Sequence, residues 1–165
     1  MAGRVFVLDA NVFIQAHRRY YAFDLAPRFW TGLAEHAATG QVESIDRVKS
    51  ELEQGKDELA VWACGAFVRA FASTDEESVT RAFGSIMNWV SQQRQFSDAA
   101  KAEFAQGADG WLVAYAQAKG RVVVTHEVLD LNVRKKVPIP NICQAFAVPW
   151  VDTFAMMREL GLRWS

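Results

Sequence analysis

Four acidic side chains stand where a folded chain could bring them to one site: Asp9, Glu51, Asp109 and Glu127. Asp9 ends the apolar run Val5-Phe6-Val7-Leu8, which reads as a short strand buried on both faces. Asn11 is a good helix N-cap, and Val12, Phe13 and Ala16 follow at helical spacing, so a helix should start just beyond the acid. In an open parallel sheet, ligands sit outside the carboxyl ends of strands, which is where Asp9 falls. Glu127 lies two residues past another strand, in Val124-Thr125-His126-Glu127, and Asp109 opens the helix before that strand. Glu51 sits in the helix after a second strand, where Val48 and Leu52 face the core. Each acid has a plainer reading: Asp9 as a helix cap, Asp109 as a partner for a helix dipole, Glu51 as a solvated side chain. Several converging carboxylates, however, repel one another unless a cation neutralises them, and an all-oxygen site suits Mg²⁺ or Mn²⁺.

The elements that would position these acids alternate between strand and helix. A helix opened by Pro27 and closed near Gly40 carries Phe29, Trp30 and Leu33, and Gln41 to Ile45 reads as the second strand. Asp46 should cap a short helix from Arg47 to Gln54, which Gly55 terminates. Residues 57 to 106 read as wholly helical, with Val79, Phe83, Ile86, Met87 and Val90 keeping a 3.6-residue period. A further helix runs from Ala108 to Gly120, and Arg121 to Thr125 forms a clear strand. Pro138 and Pro140 suggest an extended loop, Ala147-Val148 a last strand, and Asp152 to Leu160 a last helix. This order predicts a single domain over residues 1–165. Its fold class is α/β, a three-layer α/β/α sandwich with a central, mainly parallel sheet and a helical insertion between the second and third strands.

Composition narrows the field of functions. The 165 residues carry 18 basic and 19 acidic side chains, so any nucleic-acid surface must be a local patch. Six tryptophans are many for this length and should serve the core or a partner surface. Cys64 and Cys143 form no CxxC pattern and read as buried free thiols of a reducing compartment. Arg4 and Asp9 within the apolar N-terminal stretch argue against a secretory signal. The longest uncharged apolar run, Leu59 to Val68, is too short to span a bilayer, so the expectation is a cytoplasmic protein with no membrane partner.

Leu8-Asp9-Ala10-Asn11-Val12-Phe13, Val48-Lys49-Ser50-Glu51-Leu52, Ala108-Asp109 and Val124-Thr125-His126-Glu127 resemble the four acidic motifs of PIN-like domains, in the same order and on the same elements. The resemblance spans essentially the whole chain. It is nearest to a bacterial PIN-like group with the opening Leu-Asp-x-Asn-x-Phe-Ile-x-Ala, a Ser-Ile-Asp (here Ser44-Ile45-Asp46) and Val-Thr-His-Glu. PIN domains are metal-dependent ribonucleases, and many small bacterial ones are toxins held silent by a cognate antitoxin. The resemblance therefore implies an Mg²⁺- or Mn²⁺-dependent endoribonuclease with RNA as substrate and an antitoxin protein as partner. It is also compatible with a homodimer.

The same resemblance implies Asp9 as principal metal ligand, with Glu51 and Asp109 completing the cage. Glu127 would bind directly or through water, and Asn11 and Thr125 would orient the acids. Glu127 is a departure, because aspartate is commoner at that place and glutamate changes the reach. Glu43 and Asp46 compete with Glu51, which the motif favours because it precedes a leucine. His17-Arg18-Arg19-Tyr20-Tyr21 mixes charge with aromatics and suits phosphate contact and base stacking, although a solvated helix end explains it too. Arg134-Lys135-Lys136 is a second basic cluster beyond the Glu127 loop, placed to hold the far side of an RNA strand or simply to be solvated. His126 lies beside the proposed centre but alternates away from Glu127, and no metal-site histidine spacing is present. Two other functions share parts of this pattern. A haloacid-dehalogenase-like phosphatase also begins with a strand ending in aspartate but needs Asp-x-Asp, where this chain has Asn11. A degenerate PIN-like or receiver-like module would only bind a partner.

Overall fold

The computed structural model describes residues 3–163. Its framework is a five-stranded, all-parallel sheet in the order β3-β2-β1-β4-β5, flanked by helices in three α/β/α layers. The strands are β1 (Phe6–Leu8), β2 (Val42–Ile45), β3 (Phe71–Ala72), β4 (Val122–Val124) and β5 (Trp150–Val151). Every residue of β1 and β4 is buried, which explains why both read as unbroken apolar runs rather than alternating ones. Their register pairs Leu8 with Val124, so the chain leaves both strands at the same level. From β1 the sheet grows through β2 and β3 on one side and through β4 and β5 on the other. The switch in strand order thus falls between β1 and β4, and the crevice beyond their carboxyl ends is where such sheets hold ligands.

Helix α1 (Ala10–Gln15) follows β1 and runs into a π-helical turn, Ala16–Tyr20, closed by the Tyr21 N–H donating to the Ala16 carbonyl at 2.7 Å. Helix α2 (Pro27–Ala38) buries Phe29, Trp30 and Leu33, as its apolar stripe requires. Helices α3 (Asp46–Glu53) and α4 (Glu58–Cys64) pack together, and α3 also meets α1. Helices α5 (Glu77–Gln92) and α6 (Asp98–Gln106) pack on α7 (Asp109–Lys119), which lies against β1, β2 and β4. Helices α8 (Ile139–Ala145) and α9 (Thr153–Leu160) follow β4 and β5. Helix α7 ends at Gly120 with φ of +70°, a left-handed position that favours glycine.

Several local expectations change. The N-cap of α1 is Asp9, and Asn11 lies inside the helix on its exposed side. Asp46 is the first residue of α3 rather than its cap; its carboxylate accepts from the Thr74 N–H at 3.1 Å and the Thr74 hydroxyl at 2.9 Å, tying α3 to the end of β3. Residues 57–106 are not wholly helical, because β3 is inserted between α4 and α5 and pairs with Ser44 and Ile45. Two residues carry no period, so only the partner strand defines them. Pro140 belongs to the first turn of α8, where a missing N–H costs nothing, and not to an extended loop. The last strand forms at Trp150–Val151, beyond Ala147-Val148. Cys143 is a buried free thiol, whereas Cys64 is exposed. Trp30 is buried, Trp62, Trp89, Trp111 and Trp150 are half-buried, and Trp164 lies outside the described residues.

Candidate metal centre

Asp9 occupies the N-cap position of α1 yet forms no capping hydrogen bond with its side chain. Its backbone N–H donates to the Val124 carbonyl at 3.0 Å, which continues the β1–β4 ladder one residue past the strands. That placement sets Asp9 beside Thr125, whose hydroxyl donates to Asp9 Oδ2 at 3.1 Å. Both side chains are buried, at 2% and 1% exposure. The Thr125 oxygen also accepts the Glu127 backbone N–H at 3.1 Å, so one hydroxyl orients the first acid and the turn carrying the fourth. Ser44 donates to the Leu8 carbonyl at 2.6 Å and steadies the end of β1 from the neighbouring strand.

Beside this strand end lies a cavity of about 270 Å³ whose walls include Asn11, Glu51, Glu103, Asp109, Glu127 and Lys136. Asp109 reaches it because Gly110 lets α7 approach α5 and α6: a Cβ there would stand 3.1 Å from the rings of both Phe104 and Phe83. Glu127 is held by the Ile139 N–H, which donates to Oε1 at 3.1 Å, and by Lys136 Nζ at 3.3 Å from the same oxygen. Glu51 stands on the cavity wall, close to the start of α7. Its sequence rivals are engaged elsewhere. Glu43 accepts from Tyr115 at 2.9 Å and from Arg121 at 2.7 Å, and Asp46 accepts from Thr74.

Electrostatics mark these acids as one unit. Burial raises the Asp9 carboxyl well above the ordinary range, and the negative charges of Asp109 and Glu127 raise it further. The Thr125 hydroxyl and the Asn11 N–H favour its charged form without reversing the shift. Asp109 is pushed up to about 7, first by burial and then by Glu127 and Glu51. Glu51 is exposed as a residue, yet the protein around its carboxyl displaces water and raises it, with the Ala108 N–H opposing. Desolvation and like charge both disfavour the ionised forms, so the group has an unmet demand for positive charge.

Among the described residues no three His, Cys, Asp or Glu side chains close on a common point as a finished metal cage. Asp9 is turned to Thr125, and Glu127 to Ile139 and Lys136. The donor chemistry nevertheless fits a hard divalent ion, being all oxygen and short of countercharge.

Glu103 was not singled out by any pattern in the sequence. It is an exposed position of α6 whose charge raises Asp109 across the cavity, and only the packing of α6 on α7 brings it there. Lys136 lines the acidic cavity, whereas Lys135 and Arg134 are exposed side chains of the same loop. Arg19 lines an adjoining cavity with Asn11 and Glu127. Arg18 and His17 instead line a small cavity of about 110 Å³ on another side of Glu51, and His17 lies 3.9 Å from both Asp57 and Glu58 at the start of α4.

The three-layer sandwich, its all-parallel sheet and the acid-bearing switch point define a PIN-like fold. The chain belongs to the family described as "Domain of unknown function (DUF4411)", whose model matches residues 6–164. It is also similar to a chain of the crystal structure of VapBC2 from Rickettsia felis bound to a DNA fragment from their promoter. That match has a TM-score of 0.55 and 13% identity, and covers 90% of this chain and 98% of the other, a likeness of fold. No curated protein matches it significantly. Among the described residues no helix is long and apolar enough to cross a membrane.

Proposed function

We propose that the protein, as one PIN-like domain over residues 1–165, is a metal-dependent endoribonuclease that hydrolyses RNA phosphodiester bonds and serves as the toxin of a bacterial toxin–antitoxin pair. The observation that carries the reading is the gathering of carboxylates at the switch point of the sheet: Glu51, Asp109 and Glu127 line one cavity beside the strand end that carries buried Asp9. Asp9, Glu51, Asp109 and Glu127 would hold Mg²⁺ or Mn²⁺. Bound there, such an ion would supply neutralisation of phosphate charge and a lowered pKa for a water that attacks the phosphorus.

The chain's own groups supply positioning. Thr125 fixes Asp9 and the Glu127 turn, the Ile139 N–H holds the Glu127 carboxylate, and Asn11 stands on the cavity wall, where its amide would meet a phosphodiester. Lys136 provides the cation within the acidic cavity, suited to a neighbouring phosphate, and Arg19 offers another next door. Arg134 and Lys135, exposed on the same loop as Lys136, would extend this basic surface toward flanking nucleotides, whereas His17 and Arg18 face another side of Glu51. The antitoxin partner follows from the PIN-like toxin resemblance, and the likeness to a chain of VapBC2 supports it.

The test is incubation of pure protein with an RNA pool, with and without Mn²⁺, beside Asp9→Asn and Glu51→Gln. Cleavage that requires the ion and is lost in both variants is the expected result. Cleavage equal in the parent and in Asp9→Asn would refute the assignment of the site. Formation of an aspartyl-phosphate would point to the phosphatase chemistry instead. Expression without a partner should slow growth, with Asp9→Asn relieving it; unimpaired growth under soluble expression would remove the toxin role and leave the nuclease.

A further inference from the structure

A second cavity, of about 350 Å³, adjoins the acidic one and shares Asn11 and Glu127 with it. Its remaining walls are Gln15, Arg19, Tyr20 and His126. Two rings of this wall, Tyr20 and His126, meet a third, Phe154, beside the cavity, and the three come from distant parts of the chain. Tyr20 lies 6.2 Å from His126 and 6.2 Å from Phe154 between ring centroids, and His126 lies 6.5 Å from Phe154. The contacts are tilted or edge-on rather than stacked face to face, which leaves ring surface open. Tyr20 is 53% exposed and Phe154 39% exposed, unlike the rings that build the core.

Each ring is deliberately held. Tyr20 ends the π-helical turn after α1, a rare geometry that is frequent at functional sites, and it abuts Tyr21, which stacks on buried Phe29 at 4.4 Å. His126 Nε2 pairs with the hydroxyl of buried Thr153 at 3.1 Å, and Thr153 precedes Phe154 in the first turn of α9. The platform is thus anchored from behind by three elements while its outer surface faces solvent.

We infer that this pocket receives one unstacked nucleobase of single-stranded RNA, stacked on Tyr20 and bordered by Phe154 and His126, with Arg19 on the adjoining phosphate. The inference rests on the nuclease reading and deepens it, because the shared Asn11–Glu127 wall puts the base next to the bond over the carboxylates. Aromatic faces mixed with the polar edges of Asn11, Gln15 and Arg19 match how proteins hold splayed-out bases. An apolar anchor from a protein partner would bury those same polar groups without satisfying them. The enzyme should consequently prefer single strands, since a paired base cannot leave its stack without an unpairing cost.

The test uses Asp9→Asn protein with Mn²⁺ and single-stranded RNA oligonucleotides carrying 2-aminopurine at successive positions. Stacking in the pocket should quench the fluorescence at one position. Adding Tyr20→Ala should remove that quench and weaken binding about ten-fold, whereas Tyr20→Phe keeps both, and Phe154→Ala should reduce them. Equal quench and affinity in the Tyr20→Ala protein, or equal affinity for a blunt RNA duplex, would overturn the pocket and leave the rings to a protein partner. In the Asp9-containing protein, Tyr20→Ala should raise KM for RNA cleavage. Cleavage with an unchanged KM overturns the pocket alone. A Tyr20-dependent quench without any cleavage by the parent upholds the pocket and overturns the nuclease reading.

Discussion

Replacing Asp109 with asparagine should stabilise the metal-free protein, and the gain should depend on pH. The Asp109 carboxyl is pushed up to about 7 in the folded state from an ordinary value of 3.8. The folded protein therefore binds this proton more tightly than the unfolded chain does. Stability from the group is fully present below about pH 4 and is lost as the pH rises through about 7. Each pKa unit corresponds to about 1.4 kcal/mol, so the gap of about three units amounts to about 4 kcal/mol at pH 8. A gain of about 4 kcal/mol is expected, or roughly 12 °C in Tm for a chain of this size. The assay is denaturant unfolding of parent and Asp109→Asn in EDTA from pH 4 to pH 8. The difference should be near zero at the acid end and grow with pH. Mn²⁺ added at pH 8 should then raise the Tm of the parent more than that of the variant, because the ion binds the folded site. A stability difference that is flat with pH would refute the electrostatic account of the site, and equal Mn²⁺ shifts would refute the role of Asp109 in holding the ion.

Thr125→Val keeps the shape of the side chain but removes the bonds to Asp9 and to the Glu127 N–H; it should lower Mn²⁺ affinity or RNA cleavage about 10- to 100-fold, read by ion titration and initial rates. Glu127→Asp should retain cleavage, since it restores the residue commoner in PIN-like domains, and complete loss would count against the motif alignment. Gly110→Ala should destabilise the protein by about 1–3 kcal/mol in denaturant melts, because its methyl meets the Phe104 and Phe83 rings at 3.1 Å and pushes α7 away from α5 and α6.

Much of the framework was legible in the sequence because it rests on local spacing. The unbroken apolar runs of β1 and β4 and the glycine stop at Gly120 are each written within a few residues. Asp9 at the end of β1 was legible for the same reason, and the motif order set Glu51, Asp109 and Glu127 beside it as candidates. Contacts between distant segments decided the rest. β3 exists only because Ser44 and Ile45 pair with it, and Asp46 turned from cap to tether once Thr74 came within reach. Glu103 met Asp109 only when α6 packed on α7, and the basic stretch 17–19 divided, Arg19 turning to the site beside Tyr20 and His17 toward α4. The Tyr20–His126–Phe154 platform joins three elements with no common spacing. Periodicity reports which face of an element is buried; which faces then meet, and the pKa shifts that follow from their meeting, are set by sheet order and helix packing.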